Sequence, residues 1–520
     1  MHRVGIAFIV CSMALLIAPV LLFAEDFDPY LSSKANEYQD YIEQWHTPDL
    51  GGLVSVQFTD ETRQEAACLW YQGDSTIWTG MYLASQALRY KVTGDLDSRA
   101  EVIRIVGYFH NLMQITDTLG YIGRYAGHDV MPINCQCDGD WKVLGTGGWE
   151  GYFWIDHTSR DQYSGYFLGM SLAYDAVDDS DMRAIIRQDL SDVIEMLENN
   201  SFNITDENGE WTGNHASWVG PLMRLSWILQ TAYVTDDPHH WQLLDEQYQK
   251  MKPFLWVDAF AGVNKYSEYF GNNLRHNAFL PIFRFWPDRK RLNELFDIWL
   301  SANRPWVKNT LNPWFDAVHV AGCLRLDRCD QDELDSINAD SYHTLQLYWD
   351  PPSWQRAVTC SDMPLDPFSV WADQVLHNFP WLENIINIDP QTKDPREITD
   401  RHWTDMYWQS TPFEASCSNG ENKAFTGNGM DYLLAYWIGV YYGILPGNGP
   451  YGDDDPIDDD SADDDSSDDD TGNDDSGGDD QIDDDSSSDD DLANDDIASD
   501  DDSNPATSDD DDSGNKGCGC

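Results

Sequence analysis

Two aspartates in polar loops stand where helical patterns begin, at positions suited to acid and base chemistry. Asp74 lies in the stretch 73–80 (Gly-Asp-Ser-Thr-Ile-Trp-Thr-Gly), and Asp161 lies in the stretch 156–165. Hydrolysis of a glycosidic bond needs two carboxyl groups, one protonated as the acid and one ionised as the base or nucleophile. Asp74 and Asp161 are therefore the first candidate pair, although an aspartate at a helix start also serves as a plain N-cap. The reserve carboxyls are Glu150, Asp156 and Glu268.

Aromatic and polar side chains near the same loops could contact a sugar. The chain has 22 Trp, whose flat rings can either fill a core or form platforms for sugar rings. Arg124, a cation beside aromatics, could bind a carboxylate or sulfate with two hydrogen bonds, or form a structural salt bridge. The candidate substrate contacts are Trp78, Arg124, Trp154, Asn214, Trp218, Asn273, Arg275, His276 and Trp408.

A repeat of paired helices is predicted to position these loops. Four apolar helical runs each end at a tight turn that contains an aspartate, and each is followed by a more polar helical stretch; the turn aspartates are Asp95, Asp179, Asp237 and Asp288. Aspartate is a good N-cap for the second helix, and Gly94 suits the left-handed end of the first. With further helical pairs over 311–349 and a last helix over 430–442, the pattern predicts about six hairpins. The connections opposite the short turns are long and rich in Trp, Gly, Asp and His, so one face is predicted to hold the functional loops.

Over roughly 60–445 the chain resembles the six-hairpin (α/α) toroid superfamily of glycoside hydrolases and polysaccharide lyases. The resemblance rests on the hairpin repeat and on the stretch 73–80 followed by a helix that ends in Val-Thr-Gly-Asp at 92–95. It implies an all-α fold, an (α/α)6 toroid of helical hairpins with long decorated loops on one face. In such a closed ring the inner helices all start at one end of the axis, so Asp74 and Asp161 would converge there.

A polysaccharide lyase would use other residues. Elimination across a uronic acid needs a group that neutralises the carboxylate, a base for the α-proton and an acid for the leaving oxygen. Asn214 and His215 resemble the Asn-His motif of alginate-lyase-like toroids, although His215 could also be a hydrogen-bonded structural histidine. Tyr266 or Tyr269 is the candidate acid or base in this alternative, and Arg275 the neutralising group.

The N-terminal segment has the pattern of a secretory signal peptide. Met-His-Arg is followed by an apolar run over 4–23 and a small Ala24, which predicts a signal peptide over 1–24 and a mature domain over 25–446; an uncleaved anchor is the alternative. Export makes disulfides plausible among the seven cysteines of the domain, and Cys323 and Cys329 could close a small loop. Cys135 and Cys137 lack a second ligand pair with zinc-site spacing, so no metal site is predicted.

The C-terminal segment has a different composition from the domain. After Pro-Gly-Asn-Gly-Pro at 446–450, the residues over 453–512 are Asp with Ser, Gly, Asn and Thr, so 447–520 is predicted to be a disordered acidic tail. A self-repelling spacer is the simpler function, with weak Ca²⁺ association as the alternative. The Cys-Gly-Cys end at 518–520 resembles the start of bacterial C-terminal sorting tags, which implies possible attachment to the cell surface.

These features predict a secreted or surface-attached carbohydrate-active enzyme. A glycoside hydrolase-like reaction with paired carboxylates is the first expectation, a polysaccharide lyase is the second, and a non-catalytic glycan- or partner-binding surface protein is the third. The expected partner is an oligosaccharide or polysaccharide, and no cofactor is predicted. Nucleic acid is an unlikely partner, because the net charge is -61 and phosphate binding needs clustered Lys and Arg.

Overall fold

The computed structural model describes residues 27–70, 72–129, 133–134, 141–206, 208–209, 219–260, 269–378 and 388–451. The predicted signal peptide and nearly all of the predicted tail lie outside these residues. Among the described helices, none is long and apolar enough to cross a membrane.

Helices dominate the described chain. They are α1 (Pro29–Tyr41), α2 (Ser75–Thr93), α3 (Leu96–Gln114), α4 (Arg160–Ala176), α5 (Ser180–Asn199), α6 (Pro221–Thr235), α7 (Pro238–Met251), α8 (Leu255–Phe260), α9 (Phe270–Phe285), α10 (Arg289–Ile298), α11 (Arg304–Val307), α12 (Pro313–Leu326), α13 (Gln331–Leu347), α14 (Pro367–His377) and α15 (Met430–Tyr441). Five of the roughly six predicted hairpins are present as consecutive helix pairs, namely α2 with α3, α4 with α5, α6 with α7, α9 with α10, and α12 with α13.

The turn aspartates explain why each second helix begins where it does. The side chains of Asp95, Asp179, Asp237 and Asp288 accept hydrogen bonds from the first backbone N–H groups of α3, α5, α7 and α10, as the sequence predicts. Asp330 does the same for α13. These carboxylates satisfy N–H groups that have no partner inside the helix, which stabilises each helix start.

The apolar helices contact one another in sequence. Helix α2 packs on α4, α4 on α6, α6 on α9, α9 on α12, α12 on α15, and α15 on α2. Every residue of α2 from Ser75 to Leu88 is buried, whereas α5 buries one face through residues such as Met182, Ile186 and Val193. A helix that is buried on all sides lies in the interior of the fold, whereas an amphipathic helix packs one face on the interior helices and exposes the other to solvent.

Ten short strands make the all-α prediction too narrow. They are β1 (Ser55–Phe58), β2 (Ala66–Trp70), β3 (Tyr125–His128), β4 (Ile133–Asn134), β5 (Lys142–Leu144), β6 (Tyr152–Ile155), β7 (Trp354–Gln355), β8 (Val358–Thr359), β9 (Ser418–Asn419) and β10 (Asn422–Thr426). They form sheets in the orders β4-β2-β1-β10-β7, β3-β6-β5 and β8-β9. The first sheet joins distant parts of the chain, because Val56 of β1 pairs with Thr426 of β10. The structure is therefore mostly helical with three small sheets.

Two disulfides join described cysteines to each other, and Cys68 is disulfide-bonded as well. Cys323 is bonded to Cys329, as the sequence predicts, and Cys360 is bonded to Cys417. The first closes the turn between α12 and α13, and the second joins β8 to the segment before β9.

Glycines set the distance between α2 and α4. A Cβ on Gly165 would lie 2.3 Å from the carbonyl oxygen of Ile77, and a Cβ on Gly80 would lie 2.0 Å from the carbonyl oxygen of Gly165. A Cβ on Gly169 would likewise lie 2.5 Å from the carbonyl oxygen of Gly80. The two helices therefore touch backbone to backbone near their starts, which brings the residues at those starts together.

The substitution Gly165→Ala tests this contact. The added methyl group has no space, so we expect it to lower the free energy of unfolding by about 1–3 kcal/mol, the usual penalty of overpacking. Chemical denaturation monitored by circular dichroism would measure it. Gly107→Ala is the matched control, because Gly107 lies inside α3 and a Cβ there meets nothing within 4 Å. We expect the control to raise stability by roughly 0.5–1 kcal/mol; equal effects of the two variants would contradict the packing argument.

Candidate active site

Asp74 stands at the start of α2 with a half-exposed carboxylate. It occupies the N-cap position, yet its side chain makes no capping hydrogen bond. Its Oδ1 accepts a hydrogen bond of 3.2 Å from Nε2 of Gln162, and Nη1 of Arg124 lies 3.7 Å away. The side chain is 50% exposed. Asp74 therefore presents a carboxylate to solvent rather than serving as a plain cap.

Asp161 lies in the first turn of α4 and is much more enclosed. Its side chain is 16% exposed, and its buried Oδ1 has no hydrogen-bond partner. Nε of Arg160 is 3.6 Å from that oxygen, too far for a normal hydrogen bond. Burial raises the pKa of Asp161 to about 6, helped by the negative charge of Asp74 and opposed by the positive charges of Arg160 and Arg124. Burial disfavours the ionised form, so this carboxyl holds its proton at a higher pH than an ordinary aspartate does.

Asp405 is a third carboxyl, which the sequence analysis missed. It is 8% exposed, and burial together with the charge of Asp74 raises its pKa to about 7. The hydroxyl of Thr404 donates a 3.2 Å hydrogen bond to its Oδ1. The charge of Asp74 thus contributes to the raised pKa of both Asp161 and Asp405. The sequence offered one signal, an acid among aromatics in His-Trp-Thr-Asp-Met-Tyr-Trp at 402–408, the same kind of stretch as 73–80.

Gln162 and the loop 121–124 fix the positions of these acids. Oε1 of Gln162 accepts a 3.1 Å hydrogen bond from the backbone N–H of Ile77, while its amide nitrogen donates to Asp74. One side chain of α4 thereby holds both the start of α2 and the carboxylate in front of it. The backbone carbonyl of Arg124 accepts from the N–H of Thr76 at 3.0 Å, so the loop is bonded to the same helix start.

The guanidinium of Arg124 forms hydrogen bonds within the protein and is little exposed to solvent. Its Nε donates to the carbonyl of His157 at 2.6 Å and its Nη1 to the carbonyl of Gly73 at 2.7 Å. The guanidinium lies 5.4 Å from the ring centre of Trp141, and its side chain is 10% exposed. It remains beside Asp74, where its charge balances that carboxylate. The structure therefore gives Arg124 a positioning role next to the acids.

Six predicted site residues are buried in the core instead. Trp154 is 2% exposed, and the others are similarly enclosed; the six are Trp78, Trp154, Tyr269, Asn273, His276 and Trp408. An indole must expose its face to stack on a sugar, so the expectation that Trp78, Trp154 and Trp408 form platforms is revised. The indole N–H of Trp408 donates to the carbonyl of Asp431 at 2.7 Å, which gives this ring a structural role.

The polar members of that group have internal partners as well. The hydroxyl of Tyr269 donates to the carbonyl of Trp306 at 3.4 Å, and burial raises the pKa of Tyr269 well above its usual value. His276 bonds through Nδ1 to the carbonyl of Asn272 at 2.6 Å, and burial lowers its pKa to about 3. Oδ1 of Asn273 accepts from the indole of Trp314 at 3.0 Å. Tyr269 is therefore not placed to exchange a proton with a substrate.

The remaining candidates are divided between structural positions and residues outside the described chain. Arg275 donates to the carbonyl of Asp258, and Asp156 accepts from the hydroxyl of Tyr121. Glu150 is exposed and accepts from the N–H of Gly148 at 3.1 Å. Asn214, His215, Trp218, Tyr266 and Glu268 lie outside the described residues.

One group in the described chain has the composition of a metal site, namely Cys360, Glu414 and Cys417. The two cysteines are bonded to each other, so their sulfurs are not available as thiolate ligands.

Replacing Asp405 by Asn tests whether this carboxyl is held protonated. A raised pKa means that the folded state binds the proton more tightly, so the stability from Asp405 is present at low pH and is lost as the pH rises through about 7. We expect Asp405→Asn to be more stable than wild type at pH 8.5, on the order of 1–4 kcal/mol, and nearly equal to it at pH 4. Thermal denaturation across this range would measure the gap. Asp97→Asn, on an exposed aspartate, is the control; a gap that does not change with pH would contradict the burial of a protonated Asp405.

Comparisons with known proteins identify no family for this chain. No family model matches the chain, and no curated protein matches it in sequence. Among solved structures, the crystal structure of a sugar epimerase from a ruminal bacterium matches with a TM-score of 0.39 and 12% sequence identity, over 63% of this chain and 88% of that chain. A likeness of this size supports no conclusion about the activity of this chain.

Proposed function

We propose that this protein is a carbohydrate-active enzyme of the glycoside hydrolase type, built as an (α/α)6 toroid. The observation on which the proposal rests is the group of Asp74, Asp161 and Asp405. One of these carboxyls is half exposed, and two are buried with raised pKa values. Acid and base catalysis needs such a difference, because one carboxyl must hold a proton while its neighbour is ionised.

The roles follow from exposure and electrostatics. Asp161 donates its proton to the glycosidic oxygen as the bond from that oxygen to the anomeric carbon breaks. Asp74, the exposed carboxylate beside Arg124 and Gln162, acts on the other side, either by attacking the anomeric carbon or by taking a proton from water. Asp405 holds its proton up to about pH 7, so below that pH it can donate a hydrogen bond without adding a negative charge to the site.

The toroid is supported by the order of helix contacts. Six apolar helices each touch the next one, and α15 returns to α2. Five of them have an aspartate-capped outer helix directly after them. In this arrangement Asp74 and Asp161 lie at the starts of two neighbouring inner helices, which is where the substrate would bind.

Secretion is part of the same proposal. It rests on the signal-peptide pattern over 1–24, and the disulfides in the described chain fit an oxidising compartment. Surface attachment through the acidic tail, and weak Ca²⁺ association with it, rest on the sequence alone.

The substitutions Asp161→Asn and Asp74→Asn test the catalytic roles. Each removes a group that transfers a proton or attacks the sugar, so we expect kcat to fall by about 10²–10⁴-fold or more. A panel of soluble polysaccharides, assayed for new reducing ends, would measure it. Absorbance of unsaturated uronides, recorded in parallel, separates hydrolysis from elimination.

Asp288→Asn is the matched control for these variants. Asp288 caps α10 at a hairpin turn, and asparagine caps equally well, so both activity and melting temperature should stay the same. Full activity in Asp74→Asn and Asp161→Asn would remove both residues as catalysts. Glycan retention without any product from wild type would favour the non-catalytic binding alternative.

The pH dependence of the wild-type enzyme provides a second test. If Asp161 is the proton donor, kcat/KM falls as the pH rises through about 6, because the donor loses its proton in the free enzyme. We expect about a tenfold decrease for each pH unit above that point. A rate that stays constant from pH 5 to pH 8 would exclude Asp161 as the acid.

A further inference from the structure

Three arginines gather near the starts of neighbouring inner helices. Arg160 is the first residue of α4, Arg224 lies in the first turn of α6, and Arg275 lies in α9. These helices contact one another, α4 with α6, α6 with α9 and α4 with α9. The hydroxyl of Ser164, one turn after Arg160, lies 3.6 Å from the sulfur of Met223, the residue before Arg224, so the starts of α4 and α6 are in contact. Burial lowers the pKa of Arg275, and the positive charge of Arg160 lowers it further.

Arg160 and Arg224 each keep a buried donor without an acceptor. Nε of Arg160 has no hydrogen-bond partner, and its ion pair with Asp161 is long at 3.6 Å. Arg224 is 8% exposed, and its Nε also has no partner. Its Nη2 donates only to the carbonyl of Val219 at 3.3 Å, and its guanidinium lies 4.6 Å from the ring centre of Phe202. A buried charged donor that lacks an acceptor is unfavourable unless a ligand supplies one.

The carboxylate nearest to Arg224 and Arg275 does not neutralise the cluster. Asp258 lies 3.6 Å from Nη2 of Arg275, and its charge also acts on Arg224. Its other oxygen accepts a 2.8 Å hydrogen bond from the backbone N–H of Leu222 at the start of α6. One partly committed carboxylate therefore acts on two arginines. Among the described residues, Arg160 forms its ion pair with Asp161, whose raised pKa weakens its charge as the pH falls.

We infer that Arg160 and Arg224 form a binding site for an acidic group on the substrate sugar, either a carboxylate or a sulfate ester, beside the proposed proton donor. Guanidinium groups bind such planar or tetrahedral anions with charge-assisted hydrogen bonds, and the N-terminal ends of α4 and α6 favour negative charge at the same place. The inference names the substrate class of the proposed hydrolase, and to that extent it rests on the proposed function.

Activity on matched polymers tests the inference. The full-length protein is assayed on a uronic-acid polysaccharide and on the same polymer after reduction of its carboxyl groups, and on a sulfated polysaccharide before and after desulfation. An assay pH of about 5 keeps Asp161 protonated while uronic acids remain ionised. We expect wild type to prefer an acidic form. Arg160→Gln and Arg224→Gln should lower kcat/KM for that form about 10–150-fold more than for its neutral counterpart.

Arg328→Gln is the matched control, because Arg328 pairs with Asp297 and lies in the turn after α12, at the end of an inner helix rather than near its start. Arg160→Lys keeps the charge and should retain part of the preference. Equal losses on acidic and neutral polymers would overturn the inference. The melting temperatures of all variants show whether a loss of activity comes from unfolding. Arg160 is more exposed than Arg224. Arg160→Gln alone therefore provides the test if Arg224→Gln does not fold.

Direct binding separates this inference from the proposed function. Calorimetry with glucuronate, glucose 6-sulfate and glucose should give binding of one or both anions, no binding of glucose, and loss of the signal in Arg160→Gln. If the protein binds the anions but the Asp74→Asn and Asp161→Asn variants are fully active, the proposed catalytic roles are overturned and the anion site is kept. If the protein hydrolyses neutral glycans, binds no anion and is unaffected by the arginine substitutions, the anion site is overturned and the proposed hydrolase function is kept.

Discussion

The close contact between α2 and α4 is the constraint on which the candidate site depends. Gly80, Gly165 and Gly169 let the two backbones meet where any side chain would hold them apart. This contact lies within the first three turns of both helices, so it fixes the positions of Asp74 and Asp161 relative to each other. Gln162 then adds a hydrogen bond to the α2 backbone and another to Asp74. A rigid helix pair thereby positions two groups that lie far apart in the sequence.

Electrostatics at this end of the fold work against stability. Asp161 and Asp405 are buried carboxyls with raised pKa values, and Arg160 and Arg224 hold buried donors without acceptors. Each of these features is unfavourable in the absence of a ligand, because a charge or donor removed from water is not fully compensated. The hairpin turns at the other ends of the inner helices show the opposite pattern, with satisfied aspartate caps. The contrast supports a functional rather than a structural role for the acids and arginines.

Local chemistry made the hairpins predictable from the sequence. A turn aspartate and the helix it caps are adjacent in the chain, as are Cys323 and Cys329, so short stretches contained the necessary information. The partners of Trp408 and Asp405 were not predictable in that way. Trp408 bonds to the backbone of Asp431, and Asp405 responds to Asp74, which is more than 300 residues away. The pairing of the small sheets escaped prediction for the same reason, since β1 pairs with β10 more than 300 residues away.

The arginine cluster and Asp161, the proposed proton donor, are linked through Arg160. Its positive charge lowers the pKa of Asp161, against the larger effect of burial. An anion bound to Arg160 would offset that positive charge and would add its own negative charge near Asp161. Both changes favour the protonated carboxyl, by the same Coulomb interaction through which Asp74 already raises its pKa. In the proposed reaction, an acidic substrate would therefore help to keep the proton on Asp161 until the glycosidic oxygen accepts it. Because Arg160 and Asp161 are consecutive residues, substrate binding at the first would act directly on the pKa of the second.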